Sequence, residues 1–348
     1  MVAGHICLDI IPKFFGDARF EPGHLVEVGA AEFSTGGCVA NVGRALHRLD
    51  VPVRLIARIG SDPFGKILHG ILTEDSPDLS DGILIGDSNS TSYSIVISPP
   101  GVDRTFLHMP GENEAFVAGD VAGHHLESAR HFHFGYPPLM KRMFENEGEQ
   151  LEHLFRTARD HGCSTSLDLS YPDPESAAGR ADWTTILSRV LPLVDFFFPS
   201  NDELAFMTGI PATAPEELAT WCLDRGCAAA IVKCGEAGLV AKTSSLARIN
   251  QVTMLKDANH WANQALNIPC LPVSVQGTTG AGDATIAGFL AGLVRELDFS
   301  ECLRAGTAVG AMCVERPDAI SGIPTWGEIQ NSLATHSVKV VENPILFN

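Results

Sequence analysis

The sequence contains no stretch approaching the ~18–20 uninterrupted apolar residues of a membrane-spanning helix, so no membrane association is expected. No charged segment followed by an apolar core opens the chain, so no signal peptide is expected either. Basic residues are scarce: 24 Lys and Arg stand against 42 Asp and Glu, a formal net charge of −18. Such a chain lacks the basic face that a phosphate backbone demands, which argues against nucleic-acid binding. A small anionic ligand is still allowed, because a few backbone amides and one metal ion neutralise phosphates locally. No two cysteines form a CxxC pair, and their number, 9, is odd. Reduced thiols in a cytoplasm are the simplest reading. Internal repeats and low-complexity tracts are absent as well.

What is present describes a folded globular protein. The 348 residues are 45% hydrophobic and 19% charged, enough to bury one large core or two smaller ones. Residues 2–11 are apolar and interrupted by Asp9, the pattern of a buried strand with a polar residue near its C-terminal end. Residues 12–33 change character and read as short antiparallel strands. A second short-strand region, 92–97 and 104–108, flanks the turn signal Pro99-Pro100-Gly101. These two regions are expected to pair in one small sheet apart from the main body.

Elsewhere helix-like and strand-like pieces alternate. Helices are expected near 38–49, 64–74, 141–161, 215–225, 281–296 and 300–315, and strands near 53–59, 130–134, 164–168, 194–198, 228–233 and 271–275. This alternation predicts an α/β fold, a mostly parallel sheet with helices on both faces. Ligands of such sheets bind beyond the carboxyl ends of the strands. Residues 243–270 show no clear period and read as a long excursion.

The segment richest in chemistry is Gly277-Thr278-Thr279-Gly280-Ala281-Gly282-Asp283-Ala284-Thr285, placed between an expected strand and a helix. Its small residues let the backbone N–H groups of Gly280, Ala281 and Gly282 converge at a helix N-terminus, a ready anion site. Asp283 falls in the first helical turn beside it. A carboxylate there can orient and deprotonate a hydroxyl while the amides stabilise charge on a transferred group. On local pattern alone, an N-capping Asp after a glycine turn fits equally well. Two other patterns lead nowhere. Gly60 to Ile67 matches a P-loop except at its last position, where the magnesium-binding Ser/Thr is missing, and Pro63 removes a donor from the cradle. His131 and His133 share one face of a strand, but no supporting Cys or His spacing accompanies them.

The 277–285 segment resembles the second signature of the ribokinase-like (phosphofructokinase B) carbohydrate kinases. Their first signature is similar to Gly36-Gly37-Cys38-Val39-Ala40-Asn41-Val42-Gly43, continuing through Arg58-Ile59-Gly60-Ser61-Asp62-Pro63-Phe64-Gly65. The resemblance runs from Gly4 and Asp9 to Ala319. It implies one ribokinase-like domain over 1–348, with lid segments at about 12–33 and 92–108 that close over a sugar and exclude water. The implied activity is ATP-dependent, magnesium-assisted phosphoryl transfer to a sugar hydroxyl, with Asp283 as base and the amides of Gly280, Ala281 and Gly282 as anion hole. Asp9, Asn41 and the Gly36-Gly37 backbone would contact substrate hydroxyls, and His133 or Tyr136 would line the pocket. Lys233, Gly235, Gly238, Thr278 and Ala308 would serve the nucleotide.

The Pro199–Glu203 stretch before Thr208-Gly209 resembles the family's Asn-x-x-Glu element, with Ser200 in the Asn position and Glu203 as the magnesium-side carboxylate. Gly277 stands where the family often has an Asp linked to a monovalent cation, which argues against potassium activation. Leu169-Ser170-Tyr171-Pro172 replaces the family's frequent x-Asn-x-Arg continuation after Asp168, which removes an anion contact and favours a neutral sugar over a sugar acid or phosphate. Arg104 in the lid could restore that contact. A nucleoside or vitamin-like alcohol as acceptor, or a non-catalytic sugar- or nucleotide-binding member, are the alternatives. A homodimer through the lid is expected from Phe14, Phe15 and Phe20.

Overall fold

Strands and helices alternate along the chain in the computed structural model, which describes residues 1–16, 20–86, 90–100, 104–335 and 341–342. The strands are β1 (Val2–Gly4), β2 (Cys7–Pro12), β3 (Ala31–Gly36), β4 (Leu55–Gly60), β5 (Ile83–Gly86), β6 (Tyr93–Ile97) and β7 (Thr105–Met109). They continue with β8 (His131–Gly135), β9 (Ser164–Asp168), β10 (Phe196–Phe197), β11 (Ala229–Lys233), β12 (Leu239–Thr243), β13 (Ala265–Ile268) and β14 (Val341–Glu342). Ten of them form one sheet in the order β14-β13-β12-β11-β10-β9-β8-β1-β4-β5. The run from β11 to β5 is parallel throughout, and β12, β13 and β14 extend it antiparallel. A separate four-stranded sheet has the order β3-β2-β6-β7.

Successive strand residues point to opposite faces, and here each face carries its own apolar core. Val2, Phe196, Phe198 and Ile231 pack with the helices Cys38–Arg48, Ala281–Val294 and Phe299–Cys313. Ala3, Phe197, Ala230 and Val232 pack with the helices Glu149–Asp160 and Trp183–Val190 on the other side. Both faces of the parallel sheet are thus covered, which is why β1, β10 and β11 read as apolar runs, while β8 and β9 bury polar residues that bond one another, His131 and His133 with Ser164 and Ser166.

The structure corrects several expectations. Residues 2–11 form two strands in different sheets. Gly4 has φ of +129°, and a Cβ there would lie 2.4 Å from the Gly135 carbonyl, so the chain leaves the main sheet where only glycine fits. Asp9 therefore belongs to the small sheet. Among the described residues of 12–33, only Pro12 at the end of β2 and the start of β3 lie in strands, and Leu25 to Val28 is irregular. The pairing of β6 with β7 is as expected; part of the turn between them, including Gly101, lies outside the described residues. Residues 271–275 form no strand. Their apolar run ends in an exposed Val275 and includes Pro272, which cannot donate to a ladder. The strand on that side is β13, inside the 243–270 excursion. The helix expected over 141–161 is interrupted at Asn146, Glu147 and Gly148, all in left-handed backbone. The helices Trp183–Val190, Asn201–Thr208 and Trp326–Thr335 had no counterpart in the sequence reading.

Candidate active site

The carboxyl ends of the parallel strands converge on one region. His5 follows β1, Tyr136 follows β8, Asp168 ends β9 and Lys233 ends β11. Facing them is the N-terminus of the 14-residue helix Ala281–Val294, capped by Gly280 in left-handed backbone. A Cβ on Gly280 would also strike Ala319 at 2.5 Å, so two constraints require glycine there. Helix-end N–H groups have no intrahelical partners. The Ala281 N–H makes one long bond, 3.3 Å, to the Thr278 carbonyl.

Asp283 sits in the first turn of this helix and is 3% exposed. Tyr136 Oη donates to both of its oxygens, at 2.9 and 2.8 Å, and Asn41 Nδ2 donates to Oδ2 at 2.9 Å. The carboxylate does not cap its own helix, so the capping alternative falls. Tyr136 reaches it from a left-handed backbone, φ of +65°, a strained conformation for a non-glycine residue. Burial raises the Asp283 pKa, while the bonds from Asn41 and Tyr136 and the charge of Lys233 hold it back. The group is thus a more willing proton acceptor than an ordinary surface Asp, and its lone pairs are aimed by two fixed donors.

Two cavities meet at this point. The first, about 720 Å³, is bounded by His5, Asp9, Gly37, Asn41, Arg104 and Asp283 among others. Three buried atoms of residues that line it, His5 Nδ1, Asn41 Oδ1 and Ser170 Oγ, have no hydrogen-bond partner among the described residues. Groups like these are costly unless a polar ligand or water satisfies them. Gly36 lies against the Asp9 carboxylate, where a Cβ would come within 2.5 Å of an oxygen. Burial pushes Asp9 up to about 6, against bonds from Cys7 and Ser94 and the charge of Arg104. The second cavity, about 570 Å³, lies on the other side of the helix N-terminus, between Lys233, Gly235, Gly238, the 271–275 run, Gly282 and the helix face of Thr307, Gly310, Ala311 and Val314. Thr278 borders both cavities, and Arg104 Nη2 donates to its hydroxyl at 2.5 Å.

Lys233 Nζ contacts Asp168 Oδ1 at 2.5 Å, and a Cβ on Gly282 would lie 3.4 Å from the same ammonium. Burial pulls Lys233 down, but the charges of Asp168, Glu203 and Asp283 outweigh it and leave it above its ordinary value. Of the three carboxylates only Asp168 is in ion-pair contact with this ammonium; Glu203 and Asp283 act on it from farther away. Magnesium commonly takes only one or two such carboxylates and completes its shell with water and phosphate oxygens.

Other expected residues are placed differently. Glu203 is the third residue of the helix Asn201–Thr208 and forms a capping box with Ser200, accepting from its N–H at 2.7 Å. His133 is fully buried, bonded to Ser166 at 2.8 Å and to Cys38 at 3.2 Å, and does not border the cavity. Its alternation partner Phe134 faces the opposite core, so the strand period turns His133 toward the interior while Tyr136, beyond the strand, lines the cavity. Ala308 packs in the core, because helical spacing gives the cavity face to 307, 310, 311 and 314. Asp62 caps the helix Pro63–Asp75 by accepting from Gly65 N at 2.9 Å, so the P-loop-like run is a helix start. His5, Cys7, Ser94, His108 and Ser170 border the first cavity without a motif to announce them. A further cavity of about 630 Å³, by the start of β1, contains none of this chemistry.

Comparison with known proteins decides the family. Residues 1–326 match the model described as pfkB family carbohydrate kinase. The chain belongs to this family. It is 23% identical over 317 residues to a 2-dehydro-3-deoxygluconokinase of Bacillus subtilis (strain 168), covering 90% of this chain and 91% of that one. It is 25% identical over 345 residues to fructokinase-2 of Oryza sativa subsp. japonica, covering 95% and 92%. Its fold resembles that of Arabidopsis thaliana ribokinase, solved with ribose and ATP, at a TM-score of 0.76 and 19% identity, over 96% of this chain and 98% of that one. The small sheet β3-β2-β6-β7 is consistent with a ribokinase-like lid.

Proposed function

We propose that this pfkB family member transfers the γ-phosphoryl group of ATP to a hydroxyl of a neutral sugar or sugar-like alcohol. The observation that carries this reading is the meeting of two cavities at Asp283 and the N-terminus of its helix. The acceptor would occupy the larger cavity, where Asp9, Asn41, His5 and Ser170 offer polar atoms, most of them uncharged. Those groups suit hydroxyls, while Arg104 and Lys141 at the same cavity keep a sugar acid or phosphate as the second acceptor class for the assay below. ATP would occupy the smaller cavity, with its phosphates toward Lys233, Thr278 and the amides of Gly280 to Gly282. Asp283 accepts the acceptor's proton, held in place by Tyr136 and Asn41. The same amides stabilise charge on the transferred group, and positioning supplies most of the rate. Magnesium would neutralise phosphate charge, held through water by Glu203 and the neighbouring carboxylates. Arg104, carried by the lid, links it to Thr278 and helps to exclude water.

Phe15, Phe20, Leu25, Phe33, Phe106 and Leu107 are all exposed in the lid region, between 48% and 88%. A second copy would bury this apolar surface, so we read the protein as a homodimer through the lid. No described helix is long and apolar enough to cross a membrane. The nine free cysteines fit a reducing cytoplasm.

The test is an ADP-release assay with ATP and magnesium across sugars, sugar acids, sugar phosphates and nucleosides. A signal that depends on a neutral sugar supports the reading; strict dependence on a nucleoside or a sugar acid would replace its substrate class. Silence across the panel from protein that binds ATP would favour a non-catalytic member.

A further inference from the structure

Three side chains that the phosphoryl-transfer scheme does not use as a set stand together at the lid side of the larger cavity. His5 follows β1, Cys7 opens β2 two residues later and His108 lies on β7, so two stretches far apart in sequence deliver them. One potential ligand atom from each lies within 4.8 Å of the other two. His5 Nε2 and His108 Nε2 face each other at 3.4 Å, with ring centroids 5.1 Å apart. Two neutral imidazoles so placed can share only one proton, and an N–H hydrogen bond is shorter, about 2.7–3.2 Å. The spacing matches another geometry. In a tetrahedral zinc site with Zn–N of about 2.0–2.1 Å, the edge between two nitrogens is about 3.3–3.4 Å.

The surroundings agree. His108 Nδ1 lies 3.0 Å from Ser94 Oγ, an outer partner that can accept from Nδ1–H and so leave Nε2 bare for a metal. Asp9 Oδ1 is 3.4 Å from Cys7 Sγ and offers an oxygen beside the cluster. All four residues border the cavity, which leaves one side of the cluster accessible.

The geometry points to a binding site for a thiophilic divalent cation, zinc above all, held by His5, Cys7 and His108 with a fourth position open to the acceptor cavity. Zn²⁺ displaces the Cys7 thiol proton to solvent, so binding strengthens as pH rises. It also ties His108 of the lid sheet to His5 of the body and takes space beside Asp9. The loaded site therefore excludes the acceptor and holds the lid shut, an inhibitory function separate from phosphoryl transfer.

The test needs no turnover. Co²⁺ is titrated into the metal-free full-length protein in a thiol-free buffer, and the absorption spectrum is followed. One equivalent should produce a thiolate-to-cobalt charge-transfer band in the near ultraviolet and the intense visible bands of four-coordinate cobalt, and one equivalent of Zn²⁺ should bleach both. Cys7→Ser should abolish the charge-transfer band, and His108→Ala should abolish the four-coordinate spectrum. Cys270→Ser, at the exposed cysteine, should leave the spectrum unchanged. Circular dichroism of each variant shows whether it folds; if Cys7→Ser does not, His108→Ala carries the test. No charge-transfer band at one equivalent, or a band that survives Cys7→Ser in folded protein, overturns the site. In the kinase assay, Zn²⁺ should compete with the acceptor and not with ATP; competition with ATP would contradict the inhibitory role.

Discussion

Replacing Asp283 with Asn separates chemistry from folding at one buried position. The carboxylate accepts from Tyr136 and from Asn41 Nδ2. An Asn can still accept from Tyr136 through its carbonyl, but its amide would face the Asn41 amide. Asn41 Oδ1 has no partner among the described residues, so turning the Asn41 amide over restores a donor–acceptor pair. The fold should therefore survive. Stability should even rise near neutral pH. Burial raises the folded-state pKa of Asp283, so the stability this group lends is present below the unfolded carboxylate value and is lost as pH rises through the folded one. Above that point a buried charge burdens the fold, and Asn removes it. Turnover should fall by roughly 100- to 10,000-fold, the usual worth of a positioned base. That is about 2.7–5.5 kcal/mol of barrier. The assays are initial rates at saturating ATP, and thermal melts at pH 5 and pH 8. A variant with near-wild-type turnover refutes the base assignment, and one that loses activity only because it melts refutes the separation.

Four further outcomes follow from the same geometry. Tyr136→Phe removes a donor to both Asp283 oxygens, so the acidic limb of the kcat/KM profile should move to higher pH; an unmoved limb would show that Tyr136 does not tune this carboxylate. Acceptor KM should rise as pH drops below about 6, where Asp9 gains a proton, and this dependence should vanish in Asp9→Asn; a KM flat from pH 5 to 8 in the wild type would remove Asp9 from acceptor binding. Glu203→Gln keeps an acceptor for the capping box and removes the charge, so the magnesium concentration for half-activation should rise with little change in melting temperature; equal activation curves would leave Glu203 a cap alone. Phe15→Ser with Leu25→Ser should convert a dimer to monomer by light scattering at micromolar concentration, and a wild type that is already monomeric would dispose of the lid interface.

Much of the architecture was legible because strands buried on both faces alternate with helices, some strongly periodic like 38–48 and some long and apolar all round like 281–294. The segments 164–168 and 229–233 and the helices at 38–48 and 281–294 needed only burial pattern and length to find. The errors have specific causes. Residues 2–11 read as one strand because apolarity does not reveal a change of sheet; the turning point is Gly4, whose backbone only a glycine adopts without clash. Residues 271–275 read as a strand because an apolar cavity wall and a buried strand have the same composition. Asp283, Asn41, Asp9, Thr278 and Lys233, which local motifs single out, all border one or both cavities. Ala308 and His133 were misplaced by one helical step and one strand alternation. His108 joins His5 and Cys7 only when the lid sheet folds over the strand ends, and no motif pointed to that meeting.

The most direct test of the central claim is a crystal structure with the acceptor found by the ADP-release assay and a non-hydrolysable ATP analogue bound together. The account predicts one acceptor hydroxyl within hydrogen-bond distance of the Asp283 carboxylate, and the terminal phosphate against the amides of Gly280 to Gly282. An acceptor whose reacting hydroxyl lies away from Asp283, or a nucleotide outside the cavity beside Lys233 and Thr278, would contradict it.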